Sequence, residues 1–361
     1  MNALRGDRAL KLPAESWLKI AVPVVAVAVA LLLGLLIIAV TGSSVVDAMA
    51  AFWDGMAGSA FNVGASINRA ISLGFIGLGF IFANRANLTN VGGEGQLAVG
   101  GMFATAAALH GAGGLPMGLG FVVPLLVGTL AGALWGGLAG FLKAARNTNE
   151  VISSLLLSFI ALPLVYWSVE SVNLLRKPMT EVSSLPESAE IPDPTKLPML
   201  IPSDPTSPLH IGLLLFVVAV VVVWVVLTRS ALGLKLRAVG LNELASRRAG
   251  IRTGRLIVAS MAVAGGLGGM AGAVMIQGQA FYLTNGFSSG YGFDGLVVGL
   301  LARGSALGVV LGALLFGFLR SGSIAMEITA HVPAAVVLIS QGLIVIALAG
   351  SVMLVDRKSA R

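Results

Sequence analysis

The chain has 361 residues, of which 57% are hydrophobic and 11% are charged, and its formal net charge is +7. Several apolar runs approach the roughly 20 residues that a helix needs to cross a bilayer, so we predict an all-α polytopic membrane protein. The absence of cysteine excludes disulfides and thiolate metal sites, and the three histidines are widely separated. We predict no catalytic residue, no metal and no cofactor.

The first apolar run, residues 20–40, follows four basic residues, which places the tail 1–19 in the cytoplasm by the positive-inside rule. Ala48-Met49-Ala50 has the form of a signal-peptide cleavage site, but this run is longer than the roughly 7–15 apolar residues of a signal peptide. We therefore expect a retained helix. Residues 41–66 indicate an interfacial segment on the outer side.

About ten spans are predicted, some broken by glycine, within a permease domain at 20–352. The tail 353–361 is basic and is expected in the cytoplasm. Eight or nine spans with re-entrant half-helices fit nearly the same cues. Asn147, Thr148 and Asn149 are candidate N-caps of the fifth span. After residues 20–40, the spans are 67–84, 97–109, 118–142, 151–172, 211–227, 256–276, 294–302, 307–319 and 333–352.

Between the fifth and sixth spans, residues 173–208 contain eight prolines, and their five acids outnumber three bases. Proline fits helix interiors poorly. This segment is predicted to be an extracytoplasmic loop.

Residues 229–255 lie between two apolar runs and contain seven basic residues and one acid, which indicates the cytoplasmic side. Within them, Asn242 is a candidate N-cap, Glu243 and Arg247 are four residues apart, and Gly250 can end a helix. A short helix is therefore predicted. It has two interpretations: a topology signal in contact with lipid headgroups, or a docking element for a soluble motor.

Glycines recur four residues apart in two later spans, a spacing that lets helix backbones approach closely. These are Gly132, Gly136, Gly140 in one span, and Gly265, Gly269 with Gly268, Gly272 in the other. Two further glycine clusters each surround an acid, at residues 92–95 and 292–295. They occupy comparable places in the two halves, as do the paired discontinuous helices of transporters.

Ionisable groups inside spans are costly, so Glu94, Asp294 and Arg303 require an explanation. In the structural explanation, the carboxylates accept hydrogen bonds from backbone donors that broken helices leave unpaired. In the functional one, they contact solute or carry protons. The sequence contains no Walker A phosphate loop, so active transport would draw on an ion gradient or on a separate ATPase.

Several segments together resemble a known family. FANRANLTNVGGEGQLAVG at 82–100 is similar to the signature of permease subunits in ATP-binding-cassette importers of the branched-chain amino acid, simple sugar and nucleoside group. TNEVISSLLLSFIA at 148–161, LKLRAVGLNELASRRAGI at 234–251, the glycine-rich run at 290–323 and VPAAVVLISQGLIVIALA at 332–349 follow in the family's order. The second motif and the C-terminal end resemble the nucleoside branch most.

This resemblance implies a translocation subunit for a nucleoside-like solute in the bacterial inner membrane. Implied partners are an ABC ATPase subunit, a second permease subunit, an extracytoplasmic solute-binding protein or lipoprotein, and membrane lipid, with no nucleic acid polymer. The alternative within the family is a permease for a simple sugar such as ribose. The alternative outside the family is an ion-coupled secondary transporter that uses Glu94 or Asp294. ATPase-coupling candidates are Asn242, Glu243, Ala245, Arg248, Ala249 and Gly250; candidates for the translocation pathway or a helix break are Asn90, Glu94, Gln96 and Asp294.

Overall fold

The computed structural model describes residues 42–116, 118–178, 185–204 and 206–333, together with scattered positions within 25–40 and 336–350. By its internal contacts, the chain divides into two compact units. One contains Met1–Gly55 and Gly322–Arg361, and the other contains Met56–Ser321. The tails 1–19 and 353–361 lie outside the described residues.

The regular secondary structure of the described residues is helical; apart from helices, these residues form isolated β-bridges and no extended strand. The helices in chain order are α1 (Val45–Ala57), α2 (Ala60–Asn84), α3 (Gly93–Leu109), α4 (Leu119–Arg146), α5 (Glu150–Glu170), α6 (Gly212–Arg229), α7 (Ala231–Leu241), α8 (Glu243–Arg248), α9 (Thr253–Met275), α10 (Tyr291–Leu301) and α11 (Ala306–Thr329). Among the described residues, six helices are long and apolar enough to cross a membrane, by length and composition: α2, α4, α5, α6, α9 and α11.

The predicted helices are largely present, with altered ends. Residues 41–66 contain α1 and the first turns of α2, which begins at Ala60 rather than at 67. The third predicted span starts earlier, because α3 includes Gly93–Gln96, and the ninth continues through Arg320 to Thr329. Asn149 is the N-cap of α5 and accepts hydrogen bonds from Val151 N and Ile152 N. Part of the first predicted span and most of the tenth lie outside the described residues, so the count of ten stays a prediction.

Within the unit Met56–Ser321, α2 and α9 are the central helices, because most of each is buried, whereas less than half of every other span-length helix is buried. The predicted glycine series on α4 and α9 pack against each other. A Cβ atom built on Gly132 would lie 2.4 Å from the Gly265 carbonyl oxygen, and one on Gly269 would lie 2.3 Å from that of Gly128. Only glycine permits this backbone approach.

The two short helices, α3 and α10, each pack on one of the central helices. The 17-residue α3 packs on α9, where a Cβ on Gly272 would lie 2.1 Å from the Leu97 carbonyl oxygen. The 11-residue α10 packs on α2, where a Cβ on Gly299 would lie 2.6 Å from Phe80 Cβ. The half of the unit before residues 173–208 contains α2 and α3, and the half after them contains α9 and α10. Each half thus supplies a short helix that packs on the central helix of the other half.

The two halves have opposite directions. The helix α2 runs toward the basic segment, since Arg85 at its end contacts Gly240 of α7, whereas α9 starts beside that segment at Thr253. Opposite directions of this kind are typical of the inverted repeats of transporters. The fold therefore supports the internal repeat that the two glycine clusters suggested.

The chain between α5 and α6 is attached to the far end of α9. Backbone N–H groups of Ser188, Ile191 and Leu197 donate to carbonyl oxygens of Leu283, Phe281 and Gln277 at 2.8–2.9 Å. In addition, Gln277 Nε2 donates to the Thr195 carbonyl oxygen at 2.7 Å. These bonds provide hydrogen-bond partners for the backbone of an extended, proline-rich segment. The described part of this segment has no helix longer than one turn.

The unit formed by Met1–Gly55 and Gly322–Arg361 has a small core of its own. Its buried members include Ile38, Ala48, Met326, Val332 and Val336.

Candidate functional site

The N-termini of α3 and α10 meet inside the unit Met56–Ser321. A Cβ atom on Gly292 would lie 2.0 Å from the backbone nitrogen of Glu94, so glycine is required there. Gly93 and Gly295 both lie against Ile76, which is about eight residues, or roughly 12 Å, from the end of α2. We call this meeting point the helix-end junction: residues 90–96 and 289–294 with Arg320.

Glu94 joins the two short helices. It is 2% exposed, and its carboxylate accepts hydrogen bonds from Gly290 N at 3.1 Å and Gly292 N at 2.6 Å. Gly290 is the N-cap residue of α10 and Gly292 lies in its first turn, where the N–H groups have no partner within the helix. A carboxylate at a helix N-terminus is also favoured by the helix dipole. A carboxylate that accepts from unpaired backbone N–H groups is what the structural explanation of Glu94 predicts.

Asn90 and Gln96 form a closed pair of side-chain amides beneath the start of α3. Asn90 Nδ2 donates to Gln96 Oε1 at 2.9 Å, and Gln96 Nε2 donates to Asn90 Oδ1 at 3.0 Å. Asn90 Oδ1 also accepts from Gly92 N at 3.0 Å. The pair is buried, and each amide satisfies the other, which fixes the turn that precedes Glu94.

Two serines of α5 complete the start of α3. Ser154 Oγ accepts from Val91 N, and Ser158 Oγ accepts from Gly95 N, both at 3.1 Å. The sequence prediction did not include these residues in the site. Their four-residue spacing places two hydroxyls on one face of an apolar helix, and this spacing is the signal from which they could have been found.

Asp294 behaves differently from Glu94, because its partner is a side chain. Arg320 Nη1 donates to Asp294 Oδ2, and Arg320 Nη2 donates to the Ser289 carbonyl oxygen. The guanidinium carbon also lies 4.0 Å from the centre of the Tyr291 ring, a cation–π contact. These contacts explain why α11 continues through a charged residue. The ninth predicted span ends at residue 319, so the sequence prediction left Arg320 just beyond it and did not pair it with Asp294.

The predicted helix in the basic segment is present as α8, and both ends are capped. Asn242 Oδ1 accepts from Ala245 N at 2.9 Å. Gly250 has φ +83°, and its N–H donates to the Arg247 carbonyl oxygen at 3.1 Å while Ile251 N donates to that of Ser246 at 3.0 Å. These two bonds form a Schellman motif. The preceding α7 was not predicted; Ser230 caps its N-terminus by accepting from Gly233 N.

The exposed surface of α8 includes most of the predicted coupling residues. Ala245, Arg248, Ala249 and Gly250 are exposed, and Leu244 beside them is 59% exposed. Glu243 instead has structural partners: Arg247 Nη2 at 3.2 Å and the Thr253 hydroxyl, at the start of α9, at 3.3 Å. A helix of this length is unstable alone, so its caps and neighbours hold it.

The model of the family described as "Branched-chain amino acid transport system / permease component" matches residues 62–348 of the chain. The chain belongs to this family. The permease is 36% identical to the guanosine ABC transporter permease protein NupP of Bacillus subtilis, over 91% of this chain and 93% of that one. The resemblance seen in the sequence is confirmed.

Two further relatives carry different solute names. The glucose ABC transporter permease protein TsgB13 of Haloferax volcanii is 33% identical over 92% of the permease and 87% of its own length. The nucleoside ABC transporter permease protein NupB of Lactococcus lactis is 31% identical over 84% of both. No solved structure matches the permease significantly.

The structure therefore gathers the predicted residues of the permease into two groups. Asn90, Glu94, Gln96 and Asp294 meet at the helix-end junction, and the residues 242–250 form one capped helix with its flanking turns. The two groups are joined through α7: a Cβ on Gly240 would lie 2.7 Å from the Arg85 carbonyl oxygen. Arg85 starts the turn that leads to Asn90.

Proposed function

We propose that this permease is the membrane subunit of an ATP-binding-cassette importer in the bacterial inner membrane and that it carries a nucleoside. ATP is hydrolysed on a separate ATPase subunit, a second permease subunit completes the pathway, and an extracytoplasmic binding protein or lipoprotein delivers the solute. The permease itself performs no covalent chemistry. The observation that supports this function most is α8, a capped and exposed helix in the most basic segment of the chain.

The exposed surface of α8 fits a partner cleft. Leu244 and Ala245 offer apolar contact, and Arg248 offers a charge to an acidic partner group, while the buried Ser246 faces the permease. The Glu243–Thr253 hydrogen bond connects α8 to the start of the central helix α9. Motion of the ATPase would therefore reach α9 directly, and would reach the helix-end junction through α7 and the turn after Arg85.

The orientation follows from the charges. Residues 229–255 face the cytoplasm because they are strongly basic, and both tails lie on the same side. Residues 173–208 then lie outside, at the opposite end of the central helices, where a delivering protein can dock. In this arrangement, the junction around Glu94 lies within the membrane, where the two short helices meet.

The nucleoside assignment rests on the relatives named for guanosine and nucleoside transport. A simple sugar is the second candidate solute, because another relative is named for glucose. An ion-coupled carrier is less well supported. Such a carrier needs a carboxylate that exchanges protons, whereas both oxygens of Glu94 accept backbone N–H groups and Asp294 is paired with Arg320.

The coupling role of α8 is tested with the substitution Glu243→Arg. It removes the bonds to Arg247 and Thr253 and places a positive charge at a helix N-terminus, which the helix dipole disfavours. We expect a permease that inserts normally, loses the ATPase on purification and does not support ATP-dependent guanosine uptake in proteoliposomes. Ala249→Trp, at an exposed position, should clash with the cleft and have the same effect.

Asp47→Arg is the matched control, because it makes the same kind of charge reversal at an exposed position in the first turn of a different helix, α1. It should retain the ATPase and transport at the parent rate. If Glu243→Arg and Ala249→Trp also retain the ATPase and transport normally, α8 is a topology signal and the motor docks elsewhere. Uptake by the permease alone, driven by a pH gradient, would support the ion-coupled alternative instead.

A further inference from the structure

A cavity of about 700 Å³ lies beside the first turns of α2. Its walls come from α2, from the chain before α6 and from the turn that follows α9. Asn68 in this wall is 17 residues from Arg85, or about 25 Å along the helix, so the cavity is at the end of α2 away from the basic segment. Its volume falls in the range of about 300–1,000 Å³ that is usual for small-molecule sites.

The turn after α9 has an unusual backbone where it borders the cavity. Residues Ile276–Ala280 form a π-helix, a rare conformation that is frequent at functional sites. Phe281 follows with φ +61°, a left-handed conformation that is strained for an aromatic residue. The result is that Gln279 and Phe281 both line the cavity.

The polar groups of the cavity can read the edge of a nucleobase. Asn68 is 1% exposed; its Nδ2 donates to the Pro208 carbonyl oxygen at 2.7 Å, and no described residue donates to its Oδ1. Gln279 supplies a second amide and Arg69 a guanidinium. Side-chain amides and guanidinium groups are the groups that pair with purine edges in nucleic-acid recognition.

The remaining lining groups suit the other parts of a nucleoside. Phe61, which is 55% exposed, supplies an aromatic ring for contact with a base. Phe281 supplies a second ring, which also has Lys196 Nζ 4.9 Å from its centre. Asp204 supplies a carboxylate that can accept from ribose hydroxyl groups. Hydrogen bonds from the Thr206 hydroxyl and backbone lower the pKa of Asp204, which keeps this carboxylate ionised.

The charges of the cavity favour an uncharged solute. Among its described lining residues, Arg69 carries the positive charge and Asp204 the negative one. The two charges balance, so the phosphate of a nucleotide would meet a carboxylate as well as a guanidinium. A neutral nucleoside satisfies both groups through hydrogen bonds.

We propose that this cavity is the outer solute site of the permease, where a neutral nucleoside is held by its base and ribose before it passes inward. This inference rests on the proposed function and adds to it the location of the site and the groups that recognise the solute. The aromatic rings hold the base, Gln279 and Asn68 read its edge, and Asp204 accepts from the ribose.

The test is made with the assembled importer in proteoliposomes, and with the purified permease by equilibrium binding of radiolabelled guanosine. Phe61→Ala removes an exposed ring and leaves the core unchanged. It should weaken guanosine binding about tenfold or more, since loss of one aromatic contact with a base has an effect of this size. Gln279→Leu removes the amide at similar size and should weaken binding while the ATPase is retained.

Phe103→Ala is the matched control, because Phe103 is 45% exposed and lines a separate, apolar cavity of about 290 Å³. It should bind guanosine as the parent does. Thermal unfolding of each variant identifies any that fails to fold. If Gln279→Leu fails to fold, the binding of guanosine by Phe61→Ala decides the test.

The outcomes separate this inference from the proposed function. If the parent imports guanosine with ATP and both cavity variants bind and import it unchanged, the cavity is not the solute site, while the importer assignment stands. If the parent importer moves glucose and not guanosine, both the nucleoside assignment and this inference are wrong. Competition by guanosine monophosphate equal to that by guanosine would contradict the preference for an uncharged solute.

Discussion

Replacement of Glu94 by glutamine tests whether one carboxylate holds the two short helices together. Glutamine keeps the size of the side chain but removes its charge, and it turns one acceptor into an NH₂ group that faces a backbone N–H. One of the two bonds, to Gly290 N or Gly292 N, is then lost at a site that is 2% exposed. The buried backbone donor has no other acceptor in this arrangement.

The expected cost is substantial. A hydrogen bond to a charged group contributes about 1.5–3 kcal/mol, and favourable partly buried dipole interactions contribute up to about 2 kcal/mol. We therefore expect Glu94→Gln to lower the free energy of unfolding by about 3 kcal/mol. At about 2 °C per kcal/mol, the Tm of the purified permease should fall by roughly 6 °C. Glu94→Asp keeps the charge but shortens the side chain, so it should be destabilised as well.

Asp47→Asn is the control, because Asp47 is an exposed carboxylate in the first turn of α1. Its loss should cost no more than about 1 kcal/mol, the usual size of an exposed helix-dipole interaction. Thermal unfolding of the three variants in the same detergent gives the comparison. A Glu94→Gln protein as stable as the parent would refute the structural role. Each folded Glu94→Gln molecule should still transport only with ATP.

Two other predictions concern packing and pH. Gly272→Ala should force α3 and α9 apart and cost about 1–3 kcal/mol, whereas Gly114→Ala, with no atom near its Cβ position, should leave the Tm unchanged; equal Tm values would contradict the close approach. Burial lowers the pKa of His210 to about 4, so the unfolded chain binds an extra proton between about pH 6.5 and pH 4. Stability should therefore fall as the pH drops through this range, by about 3 kcal/mol in total. The fall should be absent in His210→Asn, which retains an acceptor for Gly212 N.

Much of the permease could be predicted because the signals are local. Asn149 was one of three adjacent N-cap candidates of α5, Asn242 was the predicted N-cap of α8, and Gly250 was the glycine predicted to end α8. Such signals depend on residues within a few positions, and the structure contains all three. The glycine spacing on α4 and α9 likewise predicted close packing. Helix ends were less accurate: α3 begins earlier than predicted because glycines and Glu94, which read as a break, form its first turn.

The hydrogen-bond and ion-pair partners at the helix-end junction could not be predicted from local signals. The two acids in glycine clusters suggested one common role, but their partners differ. Glu94 accepts from backbone N–H groups that lie 196 and 198 residues later in the chain, whereas Asp294 pairs with the side chain of Arg320. Residue type shows that a buried charge needs a partner, but it does not show which partner is near. Ser154 and Ser158 were missed because hydroxyls in an apolar helix usually bond to their own backbone.

The sequence by itself determined the class of protein, the positions of most helices, the basic face and the family, since these depend on composition, short-range periodicity and local motifs. The tertiary structure alone decided that α3 and α10 exchange places between the two halves, that Glu94 joins their ends, and that Asn68, Asp204 and Gln279 surround one cavity. The physical reason is that these contacts link segments far apart in the chain. They form only when the central helices pack, and no local preference specifies them.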